Sequence, residues 1–84
     1  MENKEILKKK IIYRSMHRGT KEMDFLLGNF VKTYINKFDS NELHDLNKLL
    51  FLEDDIIFSW YFENSFNKVI PKSKVSKLLK NFKL

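Results

Sequence analysis

The sequence predicts an all-α protein folded as a compact five-helix bundle, and three observations predict it. Apolar residues recur at i, i+3, i+4 and i+7 through most of the 84 residues. No stretch alternates apolar and polar residues for long enough to read as a strand. Caps and breakers divide the chain into five segments of helical length joined by short links. A chain this short buries only about 60–65% of the surface it exposes when unfolded, so its core needs large side chains. Eight Phe, three Tyr and one Trp supply them. One helical domain over residues 1–84 is expected, with 1–5 and 83–84 frayed.

The first helix, from about Lys4 to Met16, is the least regular. Its apolar residues Ile6, Leu7, Ile11, Ile12, Tyr13 and Met16 spread around the axis, so either it is covered on two sides or part of it meets a partner. The second has the clearest stripe, Met23, Leu26, Leu27, Phe30 and Tyr34, with Thr20 as N-cap and Glu22 and Asp24 in the first turn, where the helix dipole favours carboxylates. Gly28 inside this helix costs about 1 kcal/mol relative to Ala, which implies a neighbour packed closely against it. Asp39 or Ser40 caps the third helix, and Glu42 can reach back as in a capping box. Leu43, Leu46, Leu49 and Leu50 make its apolar face, and it ends near Leu52.

Asp54 or Asp55 is expected to cap the fourth helix, which runs from Ile56 to about Glu63. Ile56, Ile57, Phe58, Trp60, Tyr61 and Phe62 make it apolar nearly all round, a pattern that belongs at the centre of a domain. Asn64 to Ser73 contains the one proline, Pro71, and reads as a loop. Val75, Leu78, Leu79 and Phe82 mark the fifth helix.

Composition removes most chemistry. No apolar run approaches the ~18–20 residues needed to cross a bilayer. Zero Cys excludes disulfides and thiolate sites, two His are too few for most His-based metal sites, and two Gly cannot form a phosphate-cradling loop. Glu53-Asp54-Asp55 lacks the glycine turn and ligand spacing of a calcium loop and reads as helix-start carboxylates. Ser15, Ser59 and Ser65 have no His or Lys at a suggestive spacing. No catalytic, metal-binding or cofactor-binding residue is assigned. With no Cys, no apolar secretory segment and no Arg- and Ser-rich leader, a cytosolic location is expected.

The net charge of +5 is unevenly spread. Residues 1–21 carry +5, residues 22–67 carry −6, and residues 68–84 carry six Lys and no acid. Basic ends around an acidic middle fit either solvated helix surfaces or contact with nucleic acid through Lys8, Lys9, Lys10 and the C-terminal lysines. A small basic helical nucleic-acid-binding module is therefore the alternative reading, although no Arg- and Asn-rich recognition helix accompanies the charge.

One segment carries more information. Arg14, His17 and Arg18 close the first helix, Gly19 makes the turn, and Glu22 and Asp24 open the second. Cations at a helix end, a glycine just past it and carboxylates at the next start are good grammar for a helix–turn–helix corner, and that alone accounts for the residue types. The same corner also reads as a docking face that presents the Arg18 fork beside the Glu22 acceptor.

The run Tyr13-Arg14-Ser15-x-His17-Arg18-Gly19-Thr20-x-Glu22-Met23-Asp24-x-Leu26-Leu27-Gly28-x-Phe30 resembles the signature of the SdhE-type FAD assembly factors, also called succinate dehydrogenase assembly factor 2. Its centre is Arg-Gly-x-x-Glu, here Arg18, Gly19 and Glu22. A second block, Leu49-Leu50-x-x-Glu53-Asp54-Asp55-x-x-x-x-Trp60, is similar to the family's second conserved segment, with Ile56-Ile57-Phe58 as a departure, while residues 64–84 match only as a loop and a terminal helix. The resemblance implies a five-helix bundle that is not an enzyme. It implies a chain that binds the flavoprotein subunit of succinate dehydrogenase or fumarate reductase and promotes covalent FAD attachment to a His of that partner. FAD then belongs to the partner, and none is bound by this chain. Carried over, Arg18, Gly19 and Glu22 face the partner, with Arg14, His17 and Asp24 as neighbours. Trp60 matches a family position, although its apolar surroundings suit a core role. A monomer, working without membrane or nucleic acid, is expected.

Overall fold

Short-range signals set where each helix begins. The computed structural model describes residues 3–83. Asn3 caps α1 (Lys4–Met16) by accepting from the Glu5 amide at 2.8 Å, and Thr20 caps α2 (Lys21–Tyr34) by accepting from the Met23 amide at 3.3 Å. Asp39, and not Ser40, caps α3 (Ser40–Leu50) in a full capping box with Glu42, at 2.8 and 2.9 Å. Ser73 and Ser76 form the same device at the start of α5 (Lys74–Lys80). α4 (Asp54–Phe62) differs from expectation: its N-cap is Glu53, which makes no side-chain cap bond, and Asp54 lies inside the helix. The Asp54 carboxylate is taken by partners elsewhere in the chain. The ends of the domain were expected to fray over 1–5 and 83–84; of these, residues 1, 2 and 84 lie outside the described residues.

The five helices form an all-α bundle, with no strand among the described residues. The radius of gyration is 11.9 Å, close to the ~12 Å of a compact chain of this length. α2 contributes the largest set of buried residues, Met23, Leu26, Leu27, Phe30 and Val31. Phe30 is the hub of an aromatic cluster, edge-on to Phe82 at 5.3 Å and tilted against Tyr34 at 4.9 Å and Phe38 at 6.3 Å. Leu43, Leu46, Leu49 and Leu50 of α3 close the core from one side, and Val75 and Leu79 of α5 close it from another.

One helix lies elsewhere than its apolar content suggested. α4 is peripheral: Ile57 is its one fully buried residue, Trp60 and Tyr61 are half-buried, and Phe62 is 40% exposed. The C-terminal segment touches two of its aromatics: the Tyr61 hydroxyl donates to the Phe82 carbonyl, and the Lys80 ammonium stands over the Trp60 ring. α1 is covered on one side, through Leu7, Ile11 and Ser15, while Ile6, Ile12, Tyr13 and Met16 remain exposed.

Gly28 also departs from expectation. A Cβ built on it meets nothing within 4 Å, so no neighbour requires the glycine. Gly28→Ala is expected to stabilise the fold by about 0.5–1 kcal/mol through helix propensity, read as a higher urea midpoint at unchanged slope.

Candidate functional site

The α1–α2 corner is held by one side chain. Arg18 follows the end of α1, and its backbone N–H donates to Asp24 Oδ1 at 2.7 Å. Its guanidinium turns inward, with the side chain only 9% exposed. Nε donates to Asp54 Oδ1 at 2.7 Å, Nη1 to the Leu50 carbonyl at 2.6 Å and Nη2 to the Leu52 carbonyl at 2.8 Å. The second oxygen of Asp54 accepts the Gly19 N–H at 2.5 Å. The planar fork of an arginine is what allows three divergent acceptors to be met at once. Leu50 and Leu52 lie at the end of α3 and just beyond it, where carbonyls lack helical partners and a cation is favoured by the dipole. One residue thus ties the α1–α2 turn to the α3–α4 turn.

The expected pairing of Arg18 and Glu22 as an outward donor and acceptor is therefore corrected. Glu22 is exposed on the first turn of α2, but the Arg18 fork points into the protein, because three acceptors of the α3–α4 turn converge on it. Gly19 is exposed, and its role is spatial. It does not adopt the left-handed conformation expected of a C′ glycine, but a Cβ there would stand 2.9 Å from Asp54 Oδ2. Any larger residue pushes against a carboxylate that Arg18 holds in place.

The flanking residues divide in the same way. Arg14 reaches α3, donating to Asn47 Oδ1 at 2.5 Å with its guanidinium 4.3 Å above the Phe51 ring. Asp24 is half-buried beneath Arg18. His17 is exposed, stacked on Tyr13 at 3.9 Å with Nδ1 donating to the Tyr13 carbonyl at 2.8 Å. Gly19, Glu22 and His17 thus make the outer surface of the corner, and Arg14, Arg18 and Asp24 brace it from within.

Beside Gly19 lies an open cleft of about 450 Å³ between the start of α2 and one face of α4. Met23 and Phe58 contribute apolar lining, and Asp54, Asp55 and Glu63 contribute carboxylates. Reading residue types in sequence missed the central part played by Asp54, which looked like one of three helix-start carboxylates. The signal was present in the pairing of the two motif blocks. Arg18 belongs to the first, Leu50 and Asp54 to the second, and the hydrogen bonds between them join the two. Among the described residues no group of His, Asp and Glu is arranged to hold a metal ion, and no helix is long and apolar enough to cross a membrane.

Residues 9–83 match the family model described as flavinator of succinate dehydrogenase (Sdh5). The chain is similar to succinate dehydrogenase assembly factor 2, mitochondrial, of Scheffersomyces stipitis, with 40% identity over 80 residues that cover 94% of this chain and 54% of the relative. It is similar to the protein of the same name from Dictyostelium discoideum, with 37% identity over 76 residues, 90% of this chain and 52% of the relative. The FAD assembly factor SdhE of Acetobacter pasteurianus is 29% identical over 73 residues, 87% of this chain and 64% of that protein. The chain spans about half the length of the first two relatives. No solved structure matches it. The mitochondrial names of the first two relatives overturn the expected cytosolic location, since a Cys-free composition says nothing about which compartment holds a chain. The nucleic-acid alternative finds no support in the match. A chain that follows the family model from residue 9 to residue 83, and whose two motif blocks prove to be two halves of one hydrogen-bonded knot, belongs to the flavinators of succinate dehydrogenase.

Proposed function

We propose that this chain acts as a monomeric assembly factor, not as an enzyme. On this reading it binds the flavoprotein subunit of succinate dehydrogenase, or of the related fumarate reductase, and promotes covalent attachment of FAD to that subunit. The observation that carries the reading is the family match running through both motif blocks. The geometry supports it: Arg18 braces the corner from inside, and Gly19 and Glu22 are exposed on its outer side.

Covalent attachment requires a His of the flavoprotein to be held against the flavin, and positioning alone can lower such a barrier by several kcal/mol. The helper supplies no acid or base. It binds one arrangement of the flavoprotein's mobile parts more tightly than the others and so raises its population. Gly19 lets the partner's backbone approach, Glu22 accepts a hydrogen bond from a partner donor, and the Tyr13–His17 stack adds aromatic contact area. Arg14, Arg18 and Asp24 are positioning residues that keep this surface in shape.

The test is co-expression of the flavoprotein with and without this chain, reading covalent flavin by in-gel fluorescence. The wild-type chain is expected to raise the signal. Glu22→Ala is expected to stay folded by circular dichroism and to lower the signal at least about tenfold, as loss of a central charge-assisted contact would. Equal signals with and without the wild-type chain would end the reading; an unchanged signal with Glu22→Ala would remove the corner from it.

A further inference from the structure

A second cleft, of about 1020 Å³, lies on the other side of α4, between that helix, the 64–73 loop and α5. Five lysines line it, Lys68, Lys72, Lys74, Lys77 and Lys80, and no acidic residue does. Lys74 pairs with Glu42 at 3.2 Å. Lys80 donates to the Trp60 carbonyl and stands 5.1 Å from the Trp60 ring. Lys68, Lys72 and Lys77 are exposed and have no ion-pair partner among the described residues. The remaining wall is apolar: Trp60 is half-buried, Ile70 and Pro71 lie beside it, and Phe66 is 79% exposed. Several like charges around an exposed aromatic surface raise the energy of the free protein and are relieved by an anionic, partly apolar ligand.

We propose that this cleft is a second docking site, which takes an acidic stretch of polypeptide with interleaved apolar side chains. On the function proposed above, that stretch belongs to the flavoprotein subunit. Two features favour polypeptide over a phosphate-bearing small molecule. The lysines are compact point charges around an open rim, with no arginine fork and no glycine-rich turn to enclose a phosphate. The volume stands at the upper end of small-molecule sites, and its wall offers stacking area for side chains along a segment. α4 also separates two clefts of opposite sign, with Asp55 and Glu63 on one face and the lysines on the other. A partner that carries the complementary pair of charges can bind in one orientation only.

Trp60 is the one tryptophan of the chain and lines the cleft, so its emission reports on the site directly. The full chain would be titrated with a short peptide of Glu and Leu, and separately with inorganic pyrophosphate, at rising NaCl concentrations. The peptide is expected to change Trp60 emission to saturation and to bind less tightly as salt rises. Lys72→Glu with Lys77→Glu should weaken it about tenfold, while the same charge change at Lys4→Glu with Lys9→Glu, outside the cleft, should weaken it less than about twofold. No change in emission, equal losses in the two double variants, or tighter binding of pyrophosphate would overturn the proposal. A second arm measures the complex with the flavoprotein subunit. A comparable loss in the Lys72/Lys77 variant supports that subunit as the source of the segment. A wild-type complex unaffected by the variant overturns that assignment. Failure of the wild-type complex to form falls on the proposed function, and the peptide titration then judges the cleft alone.

Discussion

Arg18→Ala is expected to lower the unfolding free energy by about 3–5 kcal/mol, the range for removing one partner of a buried, hydrogen-bonded ion pair. Three acceptors lose their donor together: the Leu50 and Leu52 carbonyls and the Asp54 carboxylate, with side-chain exposures of 9% for Arg18 and 24% for Asp54 limiting how far water can replace it. Natural domains hold roughly 0.05–0.15 kcal/mol per residue, so a chain of this length stands about 4–12 kcal/mol above its unfolded state and such a loss removes a large share. Arg18→Lys should recover little, because an ammonium on a flexible stem cannot meet three divergent acceptors. Urea denaturation followed by circular dichroism measures both. Arg18, Asp54 and their double variant form a cycle in which a coupling of more than about 1 kcal/mol is expected for groups in direct contact. A loss below about 1 kcal/mol for Arg18→Ala would mean that the inward fork does not brace the corner. The same result bears on function: a defect in flavin attachment caused by Arg18 variants is expected to track their stability, whereas a defect caused by Glu22→Ala should not.

Phe30→Ala is expected to cost a further range of about 3–5 kcal/mol, the usual penalty for emptying a buried aromatic position. Phe30 is fully buried in α2 and in ring contact with Tyr34 of the same helix, Phe38 just beyond it, and Phe82 of the C-terminal segment. Phe30→Leu keeps most of the volume and should cost less than about 1.5 kcal/mol. The comparison is read from urea midpoints, and a small loss for Phe30→Ala would show that the aromatic cluster collapses readily and is not the hub of the core. Since the C-terminal segment reaches this cluster through Phe82, the Ala variant should also loosen residues around Lys80, seen as faster amide exchange there.

The amino-acid sequence alone determined the five helices, the cap at Thr20, the reach-back of Glu42 at the start of α3, and the core stripe of α2. It also carried the two motif blocks that mark the family. These are signals between residues three to seven apart, where backbone geometry leaves few options. The tertiary structure decided what depends on distant neighbours. α4 is as apolar as a central helix, yet the way the whole set packs leaves it with one fully buried residue, while α2 buries five. Gly28 has no neighbour at close range. Asp54 faces Arg18 instead of capping its own helix. Above all, the direction of Arg18 was open in the sequence, because a long, flexible cation goes to whichever acceptors converge. Here those acceptors lie 32 to 36 residues further along the chain, brought to it only by the packing of α3 and α4.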